Sequence, residues 1–268
     1  MKKTYTIIDE ARGLARITTD DERFYIREVE VDGVKQHEYR PSVTWIANYV
    51  PKGIGFYKWL AEHGWDESEA IKQERGKYGS RVHKSIEMLL SGEEVRMDTQ
   101  IPDPETMELK ALSVEEYTAL ISFKDWWVEF NAEHTSVEVI QIEHTLWPEN
   151  EVFAGSIDLL VLVDNEYYFL IDFKTSQYVY LSHEVQLSAY KRGMNLDKEV
   201  RIAVLQVGYR KTKKGYKFTE IEEKYELFQS AYSFWKDEHD GTKPYQKDLP
   251  LSLRLTNNES IERTYEAG

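Results

Sequence analysis

The chain has no cysteine among its 268 residues. That excludes disulfides, thiolate zinc sites, iron–sulfur clusters and a thiol nucleophile, and it fits a reducing compartment. No run approaches the roughly 18 apolar residues of a membrane span. The opening "MKKTYTIIDEARG" has two lysines but no apolar region of the secretory kind. A phosphate-binding G-x-x-x-x-G-K-[ST] loop is also missing, since "RGKYGS" does not fit it, so no nucleotide cofactor and no motor activity are expected. Positive charge is in deficit. A net charge of −14 argues against coating nucleic acid through bulk attraction. Internal repeats and low-complexity segments are absent too.

What is present is enough for a substantial core: 41% of residues are hydrophobic and 13% aromatic. Residues 1–40 alternate short β-like runs with turns such as Asp32-Gly33, which predicts a β-rich extension. "PSVTWIANYVPKGIGFYKWLAEHG" reads as helical on both sides of a Pro-Lys-Gly break. A further helical pattern runs from Ser68 to Leu90, with interruptions expected near Gly76 and Gly79 and Ser80 as the N-cap for "RVHKSIEMLL". Ser113, with Glu116 three residues on, predicts a capping box opening a long amphipathic helix. Three strands follow ("SVEVIQIEHTLW", "VFAGSIDLLVLV", "YYFLIDFK"), then a helix in "SHEVQLSAYKRGMN" and an apolar strand in "VRIAVLQVGY". This order predicts an α/β fold with a mixed central sheet flanked by helices. One domain is expected over 1–268, divided into the extension (1–40), a core (41–240) and a tail (241–268) that is partly extended. Acids concentrate in "EIEEKYE", whereas "GYRKTKKGYK" carries five cations and no acid. The basic stretch is either a solvated hairpin or a loop that contacts phosphates through Arg210, Lys211, Lys213 and Lys214.

The chemistry concentrates in "GSIDLLVLVDNEYYFLIDFKTS", where Asp158, Asp172 and Lys174 interrupt apolar strand runs. Leu170, Asp172 and Lys174 share a face by the two-residue period. A two-residue loop would set Asp158 opposite Ile171. A three-residue loop, Asp164-Asn165-Glu166, would pair Val163 with Tyr167 and set Asp158 opposite Asp172. In the second register two like charges meet, which destabilises the pair. A proton, Lys174 or a divalent cation could offset that repulsion. Carboxylates with backbone carbonyls form a hard oxygen site suited to Mg²⁺ or Mn²⁺, and a lysine alongside fits phosphodiester hydrolysis. The competing reading is a plain Asp172–Lys174 salt bridge. Further along the helix pattern, His83 and Glu87 lie four apart on one face. Gln186 and Tyr190 in "QLSAY" do likewise. Gly155 marks a point where another group approaches the strand.

Taken together, "RVHKSIE", "GSID", "IDFK" and "QLSAY" resemble the PD-(D/E)XK nuclease superfamily. The set is similar to the RecB-like branch, with upstream residues similar to exonucleases of the mitochondrial genome maintenance type and their phage relatives. Ile157 stands where the superfamily's eponymous proline would be. The resemblance implies a restriction-endonuclease-like core and a Mg²⁺- or Mn²⁺-dependent deoxyribonuclease, expected to be an exonuclease on single-stranded or frayed DNA ends. His83, Asp158, Asp172 and the carbonyl of Phe173 would be metal ligands, and Lys174 the catalytic lysine. Glu87 would support the site, and Gln186 and Tyr190 would contact substrate or position water. Glu143 is a further candidate. The chain would be cytoplasmic, bacterial or made by a phage in its host, with a helicase, recombination or replication protein as a possible partner and no membrane. The alternative is a nuclease fold that holds DNA ends or a protein without cutting.

Overall fold

The computed structural model describes residues 4–19, 22–239, 244, 252–256 and 259–264. The chain divides into two units, one of Met1–Arg40 with Gly241–Gly268, the other Pro41–Asp240. In the first unit β1 (Thr4–Asp9), β2 (Leu14–Thr18), β3 (Arg23–Val31) and β4 (Val34–Pro41) form a four-stranded sheet in sequence order. The Asp32-Gly33 turn between β3 and β4 has both residues at positive φ (53° and 76°), as a tight hairpin demands.

The second unit opens with α1 (Val43–Ala47), whose N-cap Ser42 accepts the N–H of Trp45. After the Pro-Lys-Gly break comes α2 (Ile54–Leu90). The expected interruptions at Gly76 and Gly79 do not occur, and Ser80 lies inside the helix instead of capping it. The only non-helical residue inside α2 is Gly64, at φ 73° and ψ 174°, an angle pair suited to glycine. Local propensity is overridden by tertiary packing of the following turns, where Val82 and Ile86 are buried in the core; Gly79 itself lies beside Thr175, whose Oγ1 would stand 3.4 Å from an added Cβ.

A small pair, β5 (Gln100–Pro102) and β6 (Leu109–Ala111), precedes α3 (Val114–Glu133). The capping box of α3 forms as its sequence predicts, and Glu116 also receives the buried guanidinium of Arg81 from α2 at 2.6 Å. Arg81 further donates to the carbonyls of Ile101 and Ala111, so one side chain ties α2, β5, β6 and α3 together.

The central sheet comprises β7 (Val137–Leu146), β8 (Gly155–Val163), β9 (Tyr167–Lys174), β10 (Val200–Val207) and β11 (Tyr216–Ile221), with α4 (Leu181–Gly193) as the crossover between β9 and β10. Spatial order is β11-β10-β9-β8-β7; β9 and β10 are parallel and all other pairs antiparallel. The fold is therefore mixed α/β with a restriction-endonuclease-like arrangement and a β-rich beginning. Leu159, Val161, Phe169, Ile171, Ala203 and Leu205 pack with Val82 and Ile86 of α2 and Phe123 and Trp126 of α3. Leu160, Leu170, Ile202 and Val204 are buried as well, so both faces are covered, which is why these strands read as nearly continuous apolar runs. α5 (Tyr225–Glu238) packs on α4 and α1. Of the predicted tail, β12 (Ser252–Thr256) and β13 (Glu259–Thr264) form an antiparallel pair; its other residues, apart from residue 244, lie outside the described residues.

Candidate active site

The hairpin of β8 and β9 takes the three-residue register: Val163 pairs with Tyr167 and Leu159 with Ile171. Asp164 and Asn165 adopt left-handed φ of 51° and 56°, which short polar side chains tolerate. Asp164 also caps the turn from outside, accepting from the Thr135 N–H at 2.7 Å and the Ser136 N–H at 3.1 Å. The register puts Asp158 at the next position, opposite Asp172. There the Asp158 carboxylate accepts the N–H of Phe173 at 2.7 Å.

On the other side of β8, Ile142 pairs with Leu159 and His144 with Ile157, so Glu143 falls opposite Asp158. Three adjacent strands thus contribute one acid each: Glu143, Asp158 and Asp172. Glu143 has a φ of 45°, which a long side chain rarely adopts and which adds strain at this position. The sequence offered Glu143 only as a further candidate. Its strand signal is ordinary, and its place in the row depends on a pairing register between β7 and β8 that no local pattern encodes.

α2 delivers His83 to the same point. Val82 and Ile86 bury in the core, and the next residue along the helix, His83, stays partly open at the rim. Its Nδ1 lies 3.6 Å from Asp158 Oδ2 and 3.7 Å from Glu143 Oε1. His83, Glu143 and Asp158 each offer a ligand atom, all within 4.8 Å of one another. Glu87 pairs with Lys84 at 2.7 Å, and its charge is felt at Glu143. Lys174 Nζ lies 2.6 Å from Asp172 Oδ2, so the salt bridge of the competing reading is present. Yet Asp172 Oδ2 has no hydrogen bond of proper angle among the described residues, although its side chain is only 5% exposed.

Electrostatics reflect this crowding. Burial raises Asp172 to about 6, against the pull of the Lys174 ammonium and with the push of Asp158. Burial likewise raises Glu143, helped by repulsion from Asp158 and opposed by His83. Burial would raise Asp158 too, but the His83 charge, Lys174 and the Phe173 N–H together bring it below its usual value. Burial works against a charged His83, and Asp158 and Glu143 overcome it, lifting the imidazole to about 10. Lys174 is raised because Asp172 and Asp158 outweigh its desolvation. Three carboxylates thus face two cationic side chains, a set short of positive charge.

A divalent cation fits this set. Carboxylate oxygens with the His83 imidazole in its neutral form make a donor group for Mg²⁺ or Mn²⁺, so binding the ion displaces the His83 proton. Metal–ligand bonds of about 2.1 Å place neighbouring ligands about 3 Å and opposite ligands about 4 Å apart. The 3.6 and 3.7 Å separations fall between these.

The remaining sequence candidates sit around this centre. Tyr190 is the group that approaches Gly155: a Cβ there would stand 2.5 Å from its ring. The Tyr190 hydroxyl accepts from Gln186 Nε2 at 3.1 Å, and both residues are buried. The basic stretch is a hairpin joining β10 and β11, and acids already engage two of its cations. Arg210 pairs with Glu115 at 2.8 Å, and Lys214 pairs with Glu129. Lys211 lies over the ring of Tyr178 at 3.9 Å, and Lys213 is exposed.

A family model described as the PD-(D/E)XK nuclease superfamily matches residues 56–249. No curated protein matches the chain. None of the helices described is long and apolar enough to cross a membrane.

Proposed function

Because the chain belongs to the PD-(D/E)XK nuclease superfamily, whose members are metal-dependent nucleases, we propose that it hydrolyses DNA phosphodiester bonds as an exonuclease on single-stranded or frayed ends. The observation that carries this reading is the row of Glu143, Asp158 and Asp172 across three strands, with His83 and Lys174 beside it. Asp158, Asp172, His83 and Glu143 would hold the cation, with the Phe173 carbonyl as the backbone donor. A bound Mg²⁺ or Mn²⁺ supplies Lewis acidity toward the scissile phosphate and lowers the pKa of water. Lys174, kept protonated by its acids, stabilises charge developing on the phosphate and orients the attacking water. The Phe173 N–H fixes the Asp158 carboxylate. Glu87 biases the charge balance from the helix, and Gln186 and Tyr190 set the position of the strand at Gly155. Among the described residues Lys211 and Lys213 form no ion pair, and they are the hairpin cations offered to the DNA backbone.

The exonuclease mode rests on the resemblance of the motif set to stand-alone exonucleases. Without a phosphate loop, the chain acts alone or beside a helicase, recombination or replication protein. A binding module that does not cut is the second reading. The Lys174–Asp172 ion pair, which neutralises both groups with no third party, favours it. The deciding assay uses end-labelled linear single-stranded, duplex and closed circular DNA with Mg²⁺, Mn²⁺ or EDTA, alongside Lys174→Ala. Metal-dependent loss of linear but not circular DNA, at least a hundredfold slower in the variant, is the expected result. No cleavage under any metal, with the variant indistinguishable, would overturn the reading in favour of the binding module.

A further inference from the structure

Beyond Lys174 the chain leaves the sheet in the loop Thr175–Tyr180 before α4. This loop is tied down from one side. Gln206 Nε2 donates to the Ser176 carbonyl at 2.7 Å, Gln177 Nε2 donates to the Gly208 carbonyl at 3.1 Å, and the Arg210 N–H donates to Gln177 Oε1 at 2.8 Å. The anchored backbone nevertheless turns two aromatic rings outward: Tyr178 is 59% and Tyr180 53% exposed. Burying either ring would be favourable, so a rigid loop presenting both to solvent is a feature that calls for an occupant.

The charges around the pair indicate what that occupant is. Lys211 lies 3.9 Å above the Tyr178 ring. The Tyr180 ring stands edge-on to His183, 5.3 Å away, and the Tyr180 backbone N–H donates to His183 Nδ1. His183 is held uncharged, down at about 3, by burial and by the ammonium groups of Lys174 and Lys52. Lys52 donates to Asn48 Oδ1 at 3.1 Å. Among the described residues neither Lys52 nor Lys211 takes part in an ion pair. Two lysines outside any such pair, in a chain of net charge −14, stand beside two exposed rings, and a polyanion with aromatic bases matches that combination.

We propose that Tyr178 and Tyr180, with Lys211 over the first ring, form a stacking platform for unpaired bases of a single-stranded polynucleotide entering or leaving at Lys174. The platform selects unpaired bases because a ring can stack only on a base face not already covered by a duplex neighbour. It rests on the reading of Lys174 as the reacting end of the site.

The test measures binding of a fluorescent single-stranded oligonucleotide in EDTA, so that cutting does not interfere. Tyr178→Ala and Tyr180→Ala are expected to weaken binding about tenfold each, and the Phe variants less than twofold. On an oligonucleotide of abasic residues the wild-type protein falls to the level of the Ala variants. Ala variants that bind the intact strand as tightly as wild type would overturn the platform, as would an equal loss on the abasic strand. Cleavage by Lys174→Ala, run in parallel, separates the two ideas. Unaltered strand binding with Lys174-dependent cleavage overturns the platform alone. Tyrosine-dependent binding with Lys174-independent cleavage overturns the assignment of Lys174 and leaves the platform standing.

Discussion

Gly155→Ala tests how the site is braced from beneath. The added methyl carbon would stand 2.5 Å from Tyr190 Cε1, 2.8 Å from its hydroxyl oxygen and 3.1 Å from Cζ. Carbon atoms in contact prefer about 3.5–4.0 Å, so the ring must retreat by about 1 Å. It has nowhere open to go. Tyr190 is 2% exposed, and its hydroxyl is held by Gln186 at 3.1 Å. Overpacking of this kind costs ~1–3 kcal/mol, and a lost hydrogen bond adds ~1 kcal/mol. A total of about 3 kcal/mol lowers the melting temperature by roughly 6–12 °C in a protein of this size. Thermal unfolding followed by circular dichroism reads this directly. A double-mutant cycle with Tyr190→Leu isolates the contact: the glycine substitution should cost at least ~1 kcal/mol less when the shorter side chain is present. Additive effects within ~0.5 kcal/mol would refute the argument that Gly155 is required by the Tyr190 ring. Cleavage should fall together with stability, because Asp158 lies three residues along the same strand.

Asp158→Asn and Glu143→Gln each remove one charge from a set of three carboxylates, so isothermal titration with Mn²⁺ should show at least tenfold weaker binding for both. Wild-type affinity in Glu143→Gln would remove that residue from the metal site. Arg81→Met leaves Glu116 buried without its partner and should cost ~3–5 kcal/mol in urea unfolding, with the midpoint as the readout. Asp164 is lowered to about 2 by its bonds from Thr135 and Ser136, so the stability it contributes is present above about pH 4 and lost as pH falls toward 2. Asp164→Asn should flatten that part of the stability-versus-pH profile, and an unchanged acid limb would contradict the assigned bonds.

The chain's own residues determined the local elements and much of the chemistry. The Ser113–Glu116 capping box, the strand runs, the spacing of Asp158, Asp172 and Lys174, and the placement of His83 on a helix all follow from periodicity and short-range hydrogen bonding. α2 was the point where local reasoning failed. Gly76 and Gly79 look like breaks, yet the helix runs through both into the turns where Val82 and Ile86 bury in the core, and the departure occurs at Gly64, where φ is positive. Hairpin register was narrowed to two choices by sequence and decided by the fold, because Asp164 accepts bonds from Thr135 and Ser136 across the sheet end. Glu143 became part of the row through the pairing of β7 with β8, and Tyr190 met Gly155 only because α4 crosses over that strand. Partners far apart in sequence leave no periodic trace in either segment. Their meeting is a property of the closed sheet and its helices, and the tertiary structure alone decides it.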